Sequence, residues 1–179
     1  MHNQELINQY FGSKWNPRHN EYISSPERIS RKIKDEEWLL DVGCGFNSFK
    51  NYLPNVVGVD PANDAADFKC TIEDYKPDRL FDVAACLGSV NFGTLEVVSN
   101  QIEKVVACLK PKARVYWRLN PGRHDHQNND DFKQIQIFPW TVELLEEFAA
   151  KHGFKQTIEQ LEGDCRHFRF YVEWHRDAT

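Results

Sequence analysis

The chain has 179 residues, 41% of them hydrophobic and 27% charged, with a formal net charge of −5; that is room for one domain with a sizeable core and little for a second. No apolar run approaches the eighteen or so residues needed to cross a bilayer, and the start Met1-His2-Asn3-Gln4-Glu5 has neither the basic nor the apolar part of a secretory signal. The acidic balance argues against a large phosphate-backbone surface, and five cysteines (Cys44, Cys70, Cys86, Cys108, Cys165), odd in number and without metal-type spacing, read as reduced thiols of a cytoplasmic protein without a metal site.

Residues 1–23 carry Tyr10, Phe11, Trp15 and Tyr22 among polar residues, a composition expected of a segment that caps the body of the domain. Ser24-Ser25-Pro26-Glu27 reads as the opening of a helix, with a serine cap, proline in the first turn and a glutamate placed for a capping box; Ile29 and Ile33 then fall on one stripe, and the helix is expected to end near Lys34. A buried strand, Trp38 to Val42, runs into the turn Gly43-Cys44-Gly45, whose glycines let the backbone approach a ligand closely. A second apolar run, Val56 to Val59, ends on Asp60, fifteen residues after Gly45. A turn and a carboxylate at adjacent strand ends are the layout of a nucleoside site at the carboxyl edge of an open α/β sheet.

Further apolar runs follow at Ala66 to Cys70 (weak), Phe81 to Leu87 and Arg114 to Leu119, alternating with helical or loop segments, as in parallel strands joined by crossovers. The clearest crossover helix spans Leu95 to Leu109, with Val98, Ile102, Val105, Val106 and Leu109 on one stripe and Pro111 as its stop. Asn120 to Asp131 is the longest polar stretch and stands at the ligand edge, so a lid is expected over about 120–138. A helix capped by Thr141 and ended by Gly153 precedes two strands, about Lys155 to Leu161 and His167 to Trp174, whose connecting Glu162-Gly163-Asp164 suits an antiparallel pair.

With this order of elements the chain, from about residue 24 to its end, resembles the class I S-adenosylmethionine-dependent methyltransferases. Asp41-Val42-Gly43-Cys44-Gly45 is similar to the family's glycine-rich first motif, and Val59-Asp60 to its ribose-binding acid. Thr71-Ile72-Glu73-Asp74-Tyr75 stands where the family contacts adenine, Phe81-Asp82-Val83 through Ser89 resembles its fourth-strand motif, and Leu109-Lys110-Pro111 its turn before strand five. The resemblance implies a three-layer Rossmann-like fold, a mostly parallel sheet with an antiparallel C-terminal pair, and methyl transfer to a small molecule. The chain departs from the pattern twice. Asn47 or Ser48 replaces the third glycine, and asparagine tolerates the left-handed backbone such a turn needs. Only Pro61 to Ala65 separates Asp60 from the weak third strand, so the usual helix after strand two is reduced or absent. The sheet face there is expected to be bare, covered by the N-terminal segment, or covered by a second copy in a homodimer.

The resemblance assigns S-adenosylmethionine to Asp41, Gly43, Cys44 and Gly45 (methionine portion), Asp60 with Pro61 beside it (ribose), Thr71, Ile72 and Glu73 (adenine), and Leu87 and Gly88 (the centre of the cofactor). Asp41 and Asp60 also fit as fixers of their own turns, and Cys44 as a small turn filler. On the acceptor side stand Asn91, Arg118, Asn120 and Arg123; Arg118, on a central strand, either holds an anionic substrate or pairs internally with an acid such as Asp82 or Glu173. His124 and His126, in the lid, are the candidates for a proton acceptor. Three rivals use the same layout. A nicotinamide dehydrogenase lacks its third glycine here. A nucleic-acid methyltransferase is disfavoured by the acidic charge and by Leu87-Gly88-Ser89-Val90 where its catalytic motif would stand. A binding module that keeps the fold without transfer remains open.

Overall fold

The computed structural model of the chain describes residues 3–15, 20–124, 130–162 and 169–176, with backbone alone at 20–23 and 159–162. Six strands form one sheet: β1 (Leu39–Val42), β2 (Val56–Val59), β3 (Phe81–Leu87), β4 (Leu109–Leu119), β5 (Lys155–Glu162) and β6 (Arg169–His175), in the order β2-β1-β3-β4-β6-β5. The first four are parallel, and β6 runs antiparallel to both β4 and β5. This is the mixed α/β sheet that the alternation of apolar runs and helical stripes demands. The turn Glu162-Gly163-Asp164 lies largely outside the described residues.

Strand residues alternate between two cores. Leu40, Val42, Ala84, Cys86, Val115 and Trp117 face α3 (Leu95–Ala107) and α4 (Val142–Lys151), which contribute Val98, Ile102, Val105, Leu145 and Phe148. Each such large side chain, fully buried, contributes about 1.5–3 kcal/mol. On the other face Leu39, Val83, Ala85 and Tyr116 meet Ile29 of α2 (Asn20–Ser30), Ile33 just beyond it, Phe49 of a short 3₁₀ segment (Ser48–Asn51), and Leu53 just beyond that. Thr94 and Thr141 cap α3 and α4, accepting from the N–H groups of Val97 and Leu144. A third, smaller cluster joins the N-terminal arm, α1 (Asn3–Gln9) and the wider π-type turn Tyr10–Lys14, to Phe92, Phe132, Ile135 and Ile137.

Several expectations are corrected. The helix before β1 begins at Asn20 and ends at Ser30, so Pro26 lies inside it and Ser24 does not cap it; proline costs the helix one N–H donor but leaves its turns in place. The crossover helix ends at Ala107, with Cys108 capping it by its N–H to Val105 and Val106, and Leu109 already belongs to β4. Pro111 therefore does not stop a helix; it sits in β4 where the register with β3 shifts between Phe81 and Val83, a place where a missing donor is tolerated. The weak third strand shrinks to a single parallel bridge, Val59 to Phe68. Residues 60–80 are turns and bends with no helix, as expected from their brevity. The sheet face over β1 is covered within the chain by Ile29, Ile33, Phe49 and Leu53, none of them in residues 1–23, a covering that is none of the three considered.

At the amino edge of the sheet Asp82 accepts from the Trp38 N–H (2.9 Å) and from Lys110 Nζ (2.8 Å), and Arg114 grips Glu37 at 2.8 Å. Burial alone would raise the Asp82 carboxyl, but its bonds to Lys110 and Trp38 outweigh burial and hold it below the usual carboxylate range. Polar fasteners thus sit at one end of the strands and the loops at the other.

Candidate functional site

The carboxyl ends of β1 to β4 converge under α2. After β1 the chain takes left-handed backbone at Gly43 (φ 67), Gly45 (φ 53) and Asn47 (φ 57), the last fulfilling the role expected of a residue standing in for glycine. Gly43 is required for a second reason: a Cβ there would lie 2.3 Å from that of Ser89. The N–H groups of Gly43 and Cys44 both donate to the Val59 carbonyl (2.7 and 3.2 Å). Gly45 N donates to Asp60 Oδ2 at 2.9 Å, while Asp60 Oδ1 accepts from Ala62 N (2.8 Å) and Asn63 N (3.0 Å). A carboxylate has about four acceptor positions, so Asp60 keeps one, on Oδ2, after fixing two turns.

Asn47 reaches across to donate to Ala65 O at 3.0 Å and Asp67 Oδ2 at 3.3 Å. Its carboxamide lies directly over Gly58, where a Cβ would come within 2.7 Å. Asp67 in turn accepts from Gly58 N and from Lys50 Nζ. Burial raises its carboxyl, and the bonds from Gly58, Lys50 and Asn47 together pull it below the usual range. The role of Asn47 and Gly58 as a clasp between turn and strand was not anticipated; the signal for it is a lone glycine inside an apolar strand.

Asp41 differs from Asp60. It is 5% exposed, and its carboxyl has no hydrogen-bond or ion-pair partner among the described residues. Burial first, and the charge of Asp60 second, push it up to about 8. Its side chain lines a narrow cleft together with Ser25 and Pro26 of α2, Gly43, Cys44, Ser48, Phe49, Leu87 and Arg118. The Cys44 thiol is pushed far above the ordinary range by burial and then by Asp41, Asp60 and Asp67, so it fills the turn and supplies no thiolate. Other buried atoms at this end of the sheet also lack a partner: Ser89 Oγ, Glu73 Oε2 and Asn47 Oδ1.

The remaining candidates divide. Pro61 follows Asp60 into the turn. Thr71 Oγ1 donates to Asp74 Oδ2 at 2.9 Å, closing its own turn, and Ile72 is buried in the main core beside Val59. Leu87 lines the cleft, and Gly88 (φ 107) stands where a Cβ would be 3.8 Å from Arg118 Nη1. Arg118 pairs with neither Asp82, which takes Lys110, nor Glu173, which lies 3.8 Å from Lys32 Nζ. Its Nε donates to the Tyr171 hydroxyl at 2.8 Å. Asn91 Oδ1 accepts from Asn120 N (2.8 Å), and Asn120 Oδ1 accepts from Gly122 N and Arg123 N, so these asparagines shape the start of the loop. His124 Nε2 lies 3.0 Å from the Ile135 carbonyl, tying the loop to its return arm. His126 lies outside the described residues.

Over this edge lies the N-terminal arm: Trp15 stacks on Phe46 (centroids 5.5 Å, planes 10° apart), Phe11 packs on Phe92, and a Cβ on Gly12 would stand 3.0 Å from the Ala62 carbonyl oxygen. Among the described residues no group of three His, Cys, Asp or Glu side chains could hold a metal ion, and no helix is long and apolar enough to cross a membrane.

The architecture is the Rossmann-like fold of the class I S-adenosylmethionine-dependent methyltransferases, the fold the sequence resemblance implied. Among solved structures the chain is similar to magnesium protoporphyrin IX methyltransferase of Synechocystis PCC 6803 with bound SAM (TM-score 0.74, 12% identity, 99% of this chain and 98% of that one). It is similar also to 1,6-didemethyltoxoflavin-N1-methyltransferase of Burkholderia thailandensis, with 1,6-didemethyltoxoflavin and S-adenosylhomocysteine bound (0.70, 15%, 98% and 89%). A third is the N-methyltransferase NodS of Bradyrhizobium japonicum WM9 in complex with S-adenosylhomocysteine (0.69, 12%, 98% and 98%). No protein-family model and no curated protein sequence matches the chain.

Proposed function

We propose that the chain binds S-adenosylmethionine at the carboxyl edge of its sheet and transfers the methyl group to a small molecule in the cytoplasm. The observation that carries this reading is Asp41, an acid nine-tenths buried with no partner among the described residues, beside a glycine bend and lining the cleft. An uncompensated buried carboxyl is costly, and a ligand ammonium is the partner its position invites. The unpartnered Ser89 and Glu73 oxygens fit a polar ligand laid along the same edge. The fold relatives solved with SAM or S-adenosylhomocysteine support the same ligand.

When bound, the cofactor supplies a methyl group already activated on a sulfonium. The protein's part is to hold and aim. In this reading Asp41 takes the ammonium, and the bend from Gly43 through Cys44 to Gly45 lets the backbone come close. Asp60, with one acceptor position left, takes a ribose hydroxyl, and Pro61 keeps its turn. Thr71 and Glu73 stand at the polar edge of adenine; Ile72, committed to the core, supports them from behind. Leu87 and Gly88 border the centre of the ligand. Asn91, Asn120 and Arg123 shape the loop that would receive the acceptor. Correct placement alone contributes up to about 7–11 kcal/mol to such a displacement, so an acceptor that is already nucleophilic needs no base. The N-terminal arm (residues 1–23) and the loop over about 120–138 are assigned the roles of cap and lid on one domain, 24–179.

Titration calorimetry of the full chain with S-adenosylhomocysteine tests the binding step, with saturable heat expected; no heat and no thermal shift at millimolar ligand would overturn the reading. A binding module without transfer is favoured by one observation, the shortened cofactor half, in which residues 60–80 form turns and bends with no helix. Labelled S-adenosylmethionine incubated with a metabolite extract separates the two, since only an enzyme yields a labelled product.

A further inference from the structure

Two asparagines at the carboxyl edge of the sheet are buried to nearly the same degree and used differently. Asn120 (3% exposed) commits its carboxamide to its own loop: Oδ1 accepts from Gly122 N and Arg123 N, and Nδ2 donates to the Arg123 carbonyl at 2.9 Å. Asn91 (4% exposed) uses only its oxygen. Oδ1 accepts from Asn120 N at 2.8 Å, and Nδ2 has no hydrogen-bond partner among the described residues. The carboxamide has one orientation, because turning it over would set its NH₂ group against the Asn120 N–H. Two N–H donors of a buried side chain are therefore fixed in direction and unused, a costly state unless a ligand fills it.

The unused donors face the end of β3. Gly88 (φ 107) turns the chain out of that strand, and the nearest atoms to a Cβ built on it, beyond its chain neighbours, are Arg118 Nη1 at 3.8 Å and Asn91 Nδ2 at 3.9 Å. Bare backbone at Gly88 thus leaves room for a ligand atom beside Nδ2. Arg118, whose Nε is tied to the Tyr171 hydroxyl, serves as a wall of that space. The chain around Asn91 is stapled to the return arm of the loop on both sides. Phe138 N donates to the Asn91 carbonyl and Gly93 N to the Gln136 carbonyl, each at 2.8 Å, Phe92 pairs with Ile137 in an antiparallel bridge, and Trp140 Nε1 donates to the Val90 carbonyl at 2.8 Å. A donor held this firmly loses little freedom when a ligand arrives. Donors without an acceptor of their own select a lone pair and disfavour an ammonium.

We propose that Asn91 Nδ2 donates to an oxygen of the methyl acceptor, so that the acceptor is a small molecule with a carbonyl, amide or carboxylate oxygen close to the atom that receives the methyl group. This rests on the proposed function, which sets Gly88 at the centre of the cofactor, and deepens it by giving the acceptor a chemical class. Asn91 is then a determinant of specificity that touches substrate and moves no proton.

The test is equilibrium binding of three probes to the full chain loaded with S-adenosylhomocysteine: benzamide and acetophenone, which present a carbonyl oxygen, and benzylamine, which presents an ammonium on the same ring. The unaltered chain is expected to bind the two carbonyl probes about tenfold more tightly than benzylamine. Asn91→Asp keeps the oxygen that accepts from Asn120 and replaces the donors by an acceptor, so it should reverse that order while S-adenosylhomocysteine affinity holds. Equal affinity of the unaltered chain for the three, tighter benzylamine, or no binding of either carbonyl probe at millimolar concentration overturns the inference, whether or not the variant folds. An Asn91→Asp chain that keeps the order overturns it as well, and so does one in which S-adenosylhomocysteine weakens as much as the carbonyl probes, since the donor would then serve the cofactor. Failure of the unaltered chain to bind S-adenosylhomocysteine overturns the proposed function itself, an outcome distinct from binding it without discriminating among the probes.

Discussion

With its carboxyl pushed up to about 8, Asp41 keeps a proton over a range in which an unfolded aspartate has lost it. The unfolded chain then binds fewer protons than the folded one, so this residue makes stability fall as pH rises from about 4 to about 8. The groups that act on it, Asp60 after β2, Cys44 in the turn and Cys86 on β3, are an acid and two thiols, which give it no compensating charge. Asp41→Asn is therefore expected to raise the thermal midpoint at pH 8, at about 2–4 °C per kcal/mol gained, while weakening S-adenosylhomocysteine; a lowered midpoint at that pH would contradict the assignment. In the unaltered chain, affinity should climb between pH 6 and 8 as Asp41 ionises, and the variant's profile should be flat. Gly58→Ala tests the clasp. A methyl group 2.7 Å from the Asn47 carboxamide must displace it from Ala65 and Asp67, an overpacking cost of about 1–3 kcal/mol, read by chemical denaturation.

The N-terminal arm is an element whose place the sequence implied and whose form it did not. Aromatics spaced among polar residues pointed to a cap, but the π-type turn is packed on Phe46, Phe92 and Phe132, far away along the chain. Strands β1 to β4 and helices α3 and α4 were legible because each buries a stripe whose period shows in the residues themselves. The weak third strand misled for the opposite reason: Ala66 to Cys70 has the polarity of a strand, but Asp67 bonds to Gly58 and Asn47, bending the segment after one bridge. Of the site, the glycine bend and both acids were readable, whereas the contrast between a bonded Asp60 and a bare Asp41 arises only when strands are laid side by side. Trp15→Ala removes the stack on Phe46, worth about 0.5–1.5 kcal/mol. Hydrogen exchange is expected to speed up over Asn3–Lys14 and to stay unchanged in β1 to β4; equal acceleration in both would show that the arm is part of the core.

For the molecule as a whole, the two edges of the sheet respond to acid in opposite ways. Asp82 at the amino edge and Asp67 beside β2 are held below the usual carboxylate range, so their contribution is present above about pH 4 and is lost as pH falls. Asp41 adds stability in the other direction. Thermal melts across pH 3 to 9 should therefore show a maximum in the mildly acidic range, with a decline toward pH 8 that Asp41→Asn removes; a plateau from pH 5 to 8 would refute this. The placement of the indoles gives the same molecule a built-in optical gauge. Trp117, Trp140 and Trp174 are sealed in the core and Trp38 sits at the opposite edge, so Trp15, lying flat on Phe46, is the one chromophore whose surroundings change when the arm lifts. A red shift in emission on ligand entry, absent in Trp15→Phe, would time any movement of the arm without an attached dye.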